Sequence, residues 1–495
     1  MTIAIPTQRR LIGFTGLAVA SFLGCIDLTI VTTALPAIGD DLHAGPSNTE
    51  LTLGVFLMAL SMFMVTAGRI ADRLGRRRVL LFGLALFVVA SVGAALSWNI
   101  GALIAARFVQ GAACAVLYTS TSTLVESLFP EGDRGKAIGW LYSVNGLGLA
   151  IGPVLGGLLV PSFGWQAIFW INLPLGIAAL AAIAYAVPHI APDSGGGTDW
   201  AGQVLVAFAV VSAVGIFVLG DLEGWVSPAV VVAAVVFVAA VAIGIVVERR
   251  ATNPLIDPAL FGHRRFVAAI VSDFGLGLFY AAALLVIPTY LTEGRGFDVR
   301  SAGFLLLLVS GTLALSSPVA GRFVDRVGAH SLLPWGFGLL SLAGAGIAWA
   351  AFGDQPAVLV VALVLFGAGW ALVLGPATVL AISSVDPARS GFAVGASWTF
   401  HNLGGAIGAA LATVVFGHTQ LDIADAVGDA TGNVAAIIAS TSLVALIVVL
   451  VLTRGRRTAA PVPGVTDKAE PAVTDKAEPA VTDKAEPAPV EVGNV

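Results

Sequence analysis

Three ionisable residues, Asp27, Arg107 and Asp273, sit inside long apolar runs, where a charge is costly unless a partner or a wet cavity receives it. A carboxylate in such a place can load and release a proton, because burial favours its neutral form and a neighbouring arginine its charged form. Arginine stays protonated, so Arg107 can tune a carboxylate but cannot carry the exchanged proton. At 1.5 Å of helix rise per residue, Arg107 lies roughly 10 Å and Asp27 about 16 Å below the same surface, depths compatible with contact. A snorkelling arginine and a permanently hydrogen-bonded packing aspartate are the plain alternatives. Asp273 lies about 10 Å in from the opposite side. No motif surrounds it, so protonation, cation binding and structural pairing are all open. His401 and Asn402 are candidate pore-lining polar groups, and Glu126 and Glu248, near run ends, are expected to be solvated.

A second constellation is GRIADRLGRRR, Gly68 to Arg78. Gly68 and Gly75 permit a tight turn, Asp72 can accept backbone or arginine hydrogen bonds, and Arg73 and Arg76 can pair with carboxylates or lipid phosphates. A degenerate copy, GRFVDRVG, spans Gly321 to Gly328 and contains Asp325 and Arg326. In a third segment, Gly148, Gly152 and Gly156 recur every four residues, making one helix face small enough for close approach, while Pro153 favours a kink.

These residues need long helices to position them, and the composition supplies those. Of 495 residues 57% are hydrophobic and 11% charged, far from the roughly 25% charged of a soluble domain. Apolar stretches of about 20 residues match helices that cross a bilayer; the strands of an outer-membrane barrel are about 10 residues and alternate. Fourteen candidate spans result, at 11–36, 51–69, 79–97, 100–126, 137–160, 165–187, 200–219, 228–247, 266–291, 301–321, 331–352, 357–382, 392–416 and 433–453. Every Lys and Arg except Arg107, Arg295 and Arg300 then falls on one side of the membrane, and the opposite loops carry acids such as Asp40, Asp221 and Asp425. By the positive-inside rule both termini are cytoplasmic.

The start of the chain is not expected to be a cleaved signal, because its apolar run is too long and contains Asp27. After Arg457 the unit VTDKAEPA occurs three times, and a disordered tail is expected at 458–495. No basic tract suits nucleic acid. Cys25 and Cys114 read as small packing residues. No phosphate-binding loop, clustered catalytic residues or metal-ligand set stands out, so no enzyme activity, cofactor or metal is expected.

The spacing G-x-x-x-D-R-x-G-R-R, with its second copy, resembles the signature loop of the major facilitator superfamily. Further segments resemble its fourteen-span drug:proton antiporter branch: DLTIVTTALP (Asp27 to Pro36), RFVQG (Arg107 to Gly111), GLAIGPVLGG (Gly148 to Gly157) and WQAIFWINLP (Trp165 to Pro174). Thr32 and Gln166 depart from the commoner Asn and Arg of those elements.

The resemblance implies an all-α polytopic membrane protein in an inner (cytoplasmic) membrane. Two six-helix bundles, 1–188 and 262–457, would be joined by a 189–261 segment of two extra helices and linkers. It also implies proton-coupled export of hydrophobic, cationic small molecules by alternating access. Asp27, Arg107 and Asp273 would couple protons, and the Gly68, Gly148 and Asp325 segments would govern conformation. The partners expected are a small-molecule substrate, protons and the lipid bilayer, with a monomer as the default. An exporter of a lipid, siderophore or metabolite is the alternative, and a transport-dead sensor a more distant one.

Overall fold

The backbone of an apolar run has no water to bond with in a membrane, so it must satisfy itself, and a helix does this within one segment. The computed structural model describes residues 6–189, 200–251, 258–353, 355–416 and 424–454, and all regular structure among them is helical. In chain order the helices are α1 (Thr7–Ile30), α2 (Leu35–Asp41), α3 (Pro46–Leu74), α4 (Arg76–Ala95), α5 (Ile100–Leu128), α6 (Arg134–Phe163), α7 (Ala167–Trp170), α8 (Asn172–Ala186), α9 (Trp200–Glu223), α10 (Pro228–Arg250), α11 (Arg264–Thr289), α12 (Val299–Val327), α13 (Ala329–Gly353), α14 (Pro356–Ser383), α15 (Ser390–Phe416) and α16 (Ala424–Thr453). Among the described residues, thirteen segments are long and apolar enough to cross a membrane. α9 is a further helix of 24 residues. The repeat-bearing tail at 458–495 and most of the 189–199 connector lie outside the described residues.

Three spans are drawn differently from their apolar runs. The first does not continue to Pro36: α1 stops at Ile30, Val31–Thr33 forms a 3₁₀ turn, and α2 begins with Pro36 in its first turn. The hydroxyls of Thr29, Thr32 and Thr33 each bond a carbonyl three residues back, at 3.3, 2.6 and 2.8 Å, competing with the regular α-helical ladder there. The sixth is broken between α7 and α8. The last begins at Ala424, so Asp425 lies in a first helical turn, where an acid complements the helix dipole, and not in a loop.

Helices α1 and α3–α8 pack on one another as a first group, and α11–α16 as a second. The groups meet mainly where α3 lies against α15 and α6 against α12. α9 packs on α10 and on both α3 and α15, so it lies along one of these seams. Apolar side chains such as Phe82, Val235, Leu315 and Trp335 point outward, as expected of a surface bathed in lipid. At the end rich in arginine, α3 turns into α4 through Gly75 (φ 98°) and α12 into α13 through Gly328 (φ 83°), a backbone conformation that only glycine adopts readily. Pro153 lies inside α6, which runs on through it.

Glu126 and Glu248 are not solvated as their positions suggested; they are 9% and 7% exposed. Glu126 accepts a hydrogen bond from Arg134 at 3.4 Å, and Arg69 lies near enough to Glu248 to feel its charge. Helix ends in this fold converge on neighbouring basic loops, so a carboxylate there meets arginine before water.

Candidate functional site

The first group is built around a buried charge pair. Arg107 of α5 donates from Nη1 to Oδ2 of Asp27 on α1, and both side chains are fully buried. Arg107 therefore does not snorkel. Its Nη1 also donates to Gln110 Oε1 at 2.7 Å, its Nε to the Thr52 carbonyl at 3.3 Å, and its guanidinium carbon lies 4.1 Å from the Phe56 ring centroid. The other carboxylate oxygen, Asp27 Oδ1, accepts from Gln110 Nε2 at 3.1 Å and from Asn172 Nδ2 at 3.2 Å. Ser91 of α4 ties the two amides together, receiving Gln110 Nε2 at 3.1 Å and Asn172 Nδ2 at 2.8 Å, and donates to the Phe169 carbonyl at 3.2 Å. Charged donors and amides thus surround an acceptor, the arrangement that makes a buried ion pair tolerable.

Sequence reasoning singled out Asp27 and Arg107 and missed Gln110, Asn172 and Ser91. Gln110 was detectable, since it lies three residues after Arg107 on one helix face. Asn172 starts α8 where the sixth span breaks, and an apolar profile does not register that break.

At the arginine-rich end the two signature loops do one job twice. Asp72 of α3 accepts the backbone N–H groups of Gly391 and Phe392, at 3.0 and 2.9 Å, in the first turn of α15. Asp325 of α12 accepts those of Gly135 and Lys136, at 2.7 and 2.8 Å, in the first turn of α6. Each carboxylate caps a helix of the opposite group, satisfying N–H groups that have no partner in their own helix and meeting the positive end of its dipole. Arg76 holds Asp72 at 2.9 Å and donates to the Pro387 carbonyl at 2.5 Å. Arg73 is half-buried beside this contact, whereas Arg326 is exposed.

The glycines make these approaches possible: a Cβ on Gly135 would sit 2.6 Å from the Gly321 carbonyl oxygen, and one on Gly391 2.5 Å from that of Gly68. Gly148, Gly152 and Gly156 do the same within the first group, laying α6 on Cys25, Thr29 and Thr33 of the first span.

Asp273 of α11 is 2% exposed and accepts a hydrogen bond from Ser397 Oγ of α15. His401, one turn further along α15, lies with Nδ1 3.2 Å from the Asp273 carbonyl oxygen. The structure does not bring Asp273 into the Asp27 network. Cys25 and Cys114 are free and buried, as their apolar setting suggested, and Cys25 Sγ lies 3.2 Å from the Tyr118 hydroxyl. Among the described residues no group of metal-ligating side chains forms.

Long helices in two groups, joined at one end by paired contacts between a carboxylate and a helix N-terminus and holding a buried charge network, are the architecture of a membrane transporter. The profile of the Major Facilitator Superfamily matches residues 17–409, and the chain belongs to that family. It is similar to the "Multidrug resistance protein Stp" of Mycobacterium tuberculosis (strain CDC 1551 / Oshkosh), at 31% identity over 82% of this chain and 75% of that one. It is also similar to the "Tetracenomycin C resistance and export protein" of Streptomyces glaucescens, at 31% identity over 82% and 76%. Among solved structures, the human organic anion transporter MFSD10 (TETRAN) shares the fold with a TM-score of 0.63 and 16% identity, over 90% of this chain and all of that one. The protein is thus a multi-pass membrane transporter of small molecules, related to multidrug-efflux proteins, and not an enzyme.

Proposed function

We propose that this transporter is a proton-coupled antiporter of the fourteen-span drug-efflux branch, with α9 as the remaining span. In this reading it exports hydrophobic, cationic small molecules across the cytoplasmic membrane, with both termini inside. The observation that carries the reading is the buried contact between Asp27 and Arg107. Only a group that changes charge can couple cargo to a proton gradient, and in this pair only the carboxylate can.

In the cycle we propose, the groups rock against each other about a midplane binding region. In this cycle, engagement of Asp72 and Asp325 on helices of the opposite group holds the arginine-rich end closed. Protonation of Asp27 removes the charge that its donors address, frees Arg107 and lets α1 and α5 shift, after which the latches release. Asp273 is the second candidate for protonation.

The test is uphill transport in proteoliposomes with only a pH difference imposed. Asp27→Asn keeps the side-chain shape and removes the titration, so cargo binding should persist while concentration against a gradient is abolished. Vesicles of Asp27→Asn that still concentrate cargo would overturn the assignment.

The likeness to a protein named for export of tetracenomycin C favours a second reading, one dedicated metabolite as cargo. A cargo panel in the same vesicles separates the two: several unrelated cations transported supports the first, a single neutral compound the second.

A further inference from the structure

Two side-chain amides hold Asp27, and they are not equivalent. Gln110 Nε2 reaches both Asp27 Oδ1 and Ser91 Oγ at 3.1 Å, and Asn172 Nδ2 reaches the same two oxygens at 3.2 and 2.8 Å, so two nitrogens and two oxygens close a ring. All four residues are buried, Asn172 at 1% exposure and the other three at 0%. The partners fix which way each amide points, because a carboxylate only accepts and an amide nitrogen carries the two hydrogens that serve two acceptors. The difference lies in the amide oxygens. Gln110 Oε1 is held by Arg107 Nη1 at 2.7 Å, whereas Asn172 Oδ1 is buried and accepts no hydrogen bond.

Such a ring suits a charged Asp27 and not a neutral one. Among the described residues every partner of its two oxygens, Arg107, Gln110 and Asn172, is a donor, so a proton on either oxygen finds nothing to accept it. Ser91 is already full, since its hydroxyl takes two N–H bonds and gives its own to the Phe169 carbonyl. We propose that Asn172 is the positioning residue for the neutral state: when Asp27 gains a proton, the Asn172 amide turns over about Cβ–Cγ and its Oδ1 accepts the new O–H. Rotation about that bond is soft and roughly two-fold in asparagine, and no hydrogen bond holds the oxygen back. Gln110 cannot turn without leaving Arg107. After the turn the Ser91 hydroxyl swings from the Phe169 carbonyl to Asn172 Oδ1, which releases that carbonyl, three residues before Asn172, for the displaced nitrogen. Of the elements packed on this part of α1, α5 brings the charged or titratable groups that face Asp27, namely Arg107 and the Cys114 thiol, with Tyr118 beyond them at Cys25. From α4, α6, α7 and α8 the chain presents serine, glycine, a backbone carbonyl and asparagine. Asn172 is the first residue of α8, at the break in the sixth span, so the exchange acts where that span is jointed. The inference rests on the proton-coupled reading for its role, and its test separates the two.

The full chain, carrying asparagine labelled with carbon-13 at the side-chain carbonyl, is reconstituted in liposomes and titrated from neutral to acid pH by infrared difference spectroscopy. A protonated-carboxyl band that is present in the wild type and lost in Asp27→Asn belongs to Asp27. With that band the labelled carbonyl should shift to lower wavenumber, as a free amide oxygen becomes a hydrogen-bond acceptor. The shift should vanish in Asp27→Asn, where nothing titrates, and in Asn172→Leu, where the labelled group is gone. Uphill export under a pH difference should fall about ten-fold in Asn172→Leu, the effect of leaving a buried hydroxyl without an acceptor, and recover in Asn172→Gln, which keeps an amide. If Asn172→Leu does not fold, Asn172→Gln removes the labelled group equally well. An Asp27 band with an unshifted asparagine carbonyl would overturn the proposal, and so would a shift that survives replacement of Asn172. If no carboxyl band depends on Asp27, the proton reading falls and this inference with it. A shifted Asn172 carbonyl in a protein that exports nothing under a pH difference would count against the proton reading alone.

Discussion

The Asp325 carboxylate accepts the backbone N–H of Gly135 at 2.7 Å, joining the last turns of α12 to the first turn of α6. Asp72 makes the equivalent bond to Gly391 at 3.0 Å on the other seam. The two seams are thus closed by one chemical device, a carboxylate on a helix N-terminus, used once by each half of the chain. Because each carboxylate lies on the opposite group from the helix it caps, separation of the groups at this end must break both.

If both contacts act as latches, neither should dominate. Loss of one helix cap is worth about 1 kcal/mol, or roughly five-fold in a two-state balance. Asp72→Ala and Asp325→Ala should each shift the population towards separation at the arginine-rich end and lower turnover, with little effect on cargo affinity. Spin-label distances across α3–α15 and α6–α12 report the shift. An Asp325→Ala protein with wild-type distances and turnover would leave Asp72 as the sole latch.

Closure also depends on bare backbone. Gly135→Val places side-chain atoms where the Gly321 carbonyl lies, and overpacking of this kind costs about 1–3 kcal/mol. The closed arginine-rich end should become rare and turnover should fall about ten-fold, read from the same distances and from transport.

The Asp27 network makes a stability prediction opposite in order to the transport one. Arg107→Ala leaves an unpaired buried carboxylate, a change that costs about 3–5 kcal/mol when one partner of a buried pair is removed. Asp27→Asn leaves the Arg107 charge unpaired as well, but it keeps the side-chain volume and an oxygen that accepts from Arg107, whereas Arg107→Ala also empties the space against the Phe56 ring. Thermal melting in detergent should therefore fall much further for Arg107→Ala, although Asp27→Asn is the variant that abolishes proton-driven transport.

The topology reading predicts that a cysteine placed after Arg457 stays unlabelled by an impermeant reagent added outside intact cells. Deletion of 458–495 should leave transport within about two-fold of wild type, since a segment with so little apolar surface has little to bury against the helices. External labelling would reverse the orientation.

The spans, the charges within them and the duplicated loop are local properties, and sequence alone determined them. A run of some 20 apolar residues is a helix in lipid wherever it packs, and Asp72 and Asp325 are recognisable from the glycines and arginines around them. The split of the first span at Thr29–Thr33, the start of α16 at Ala424 and the burial of Glu126 and Glu248 were decided by tertiary structure. So were the choice of Gln110, Asn172 and Ser91 as partners of Asp27, and the stacking of rings from α11, α14 and α15 on one another. The reason is rotational. A helix that is apolar all round presents no preferred face in its sequence, so which of its few polar residues point inward, and at what, is set by the neighbours it packs on.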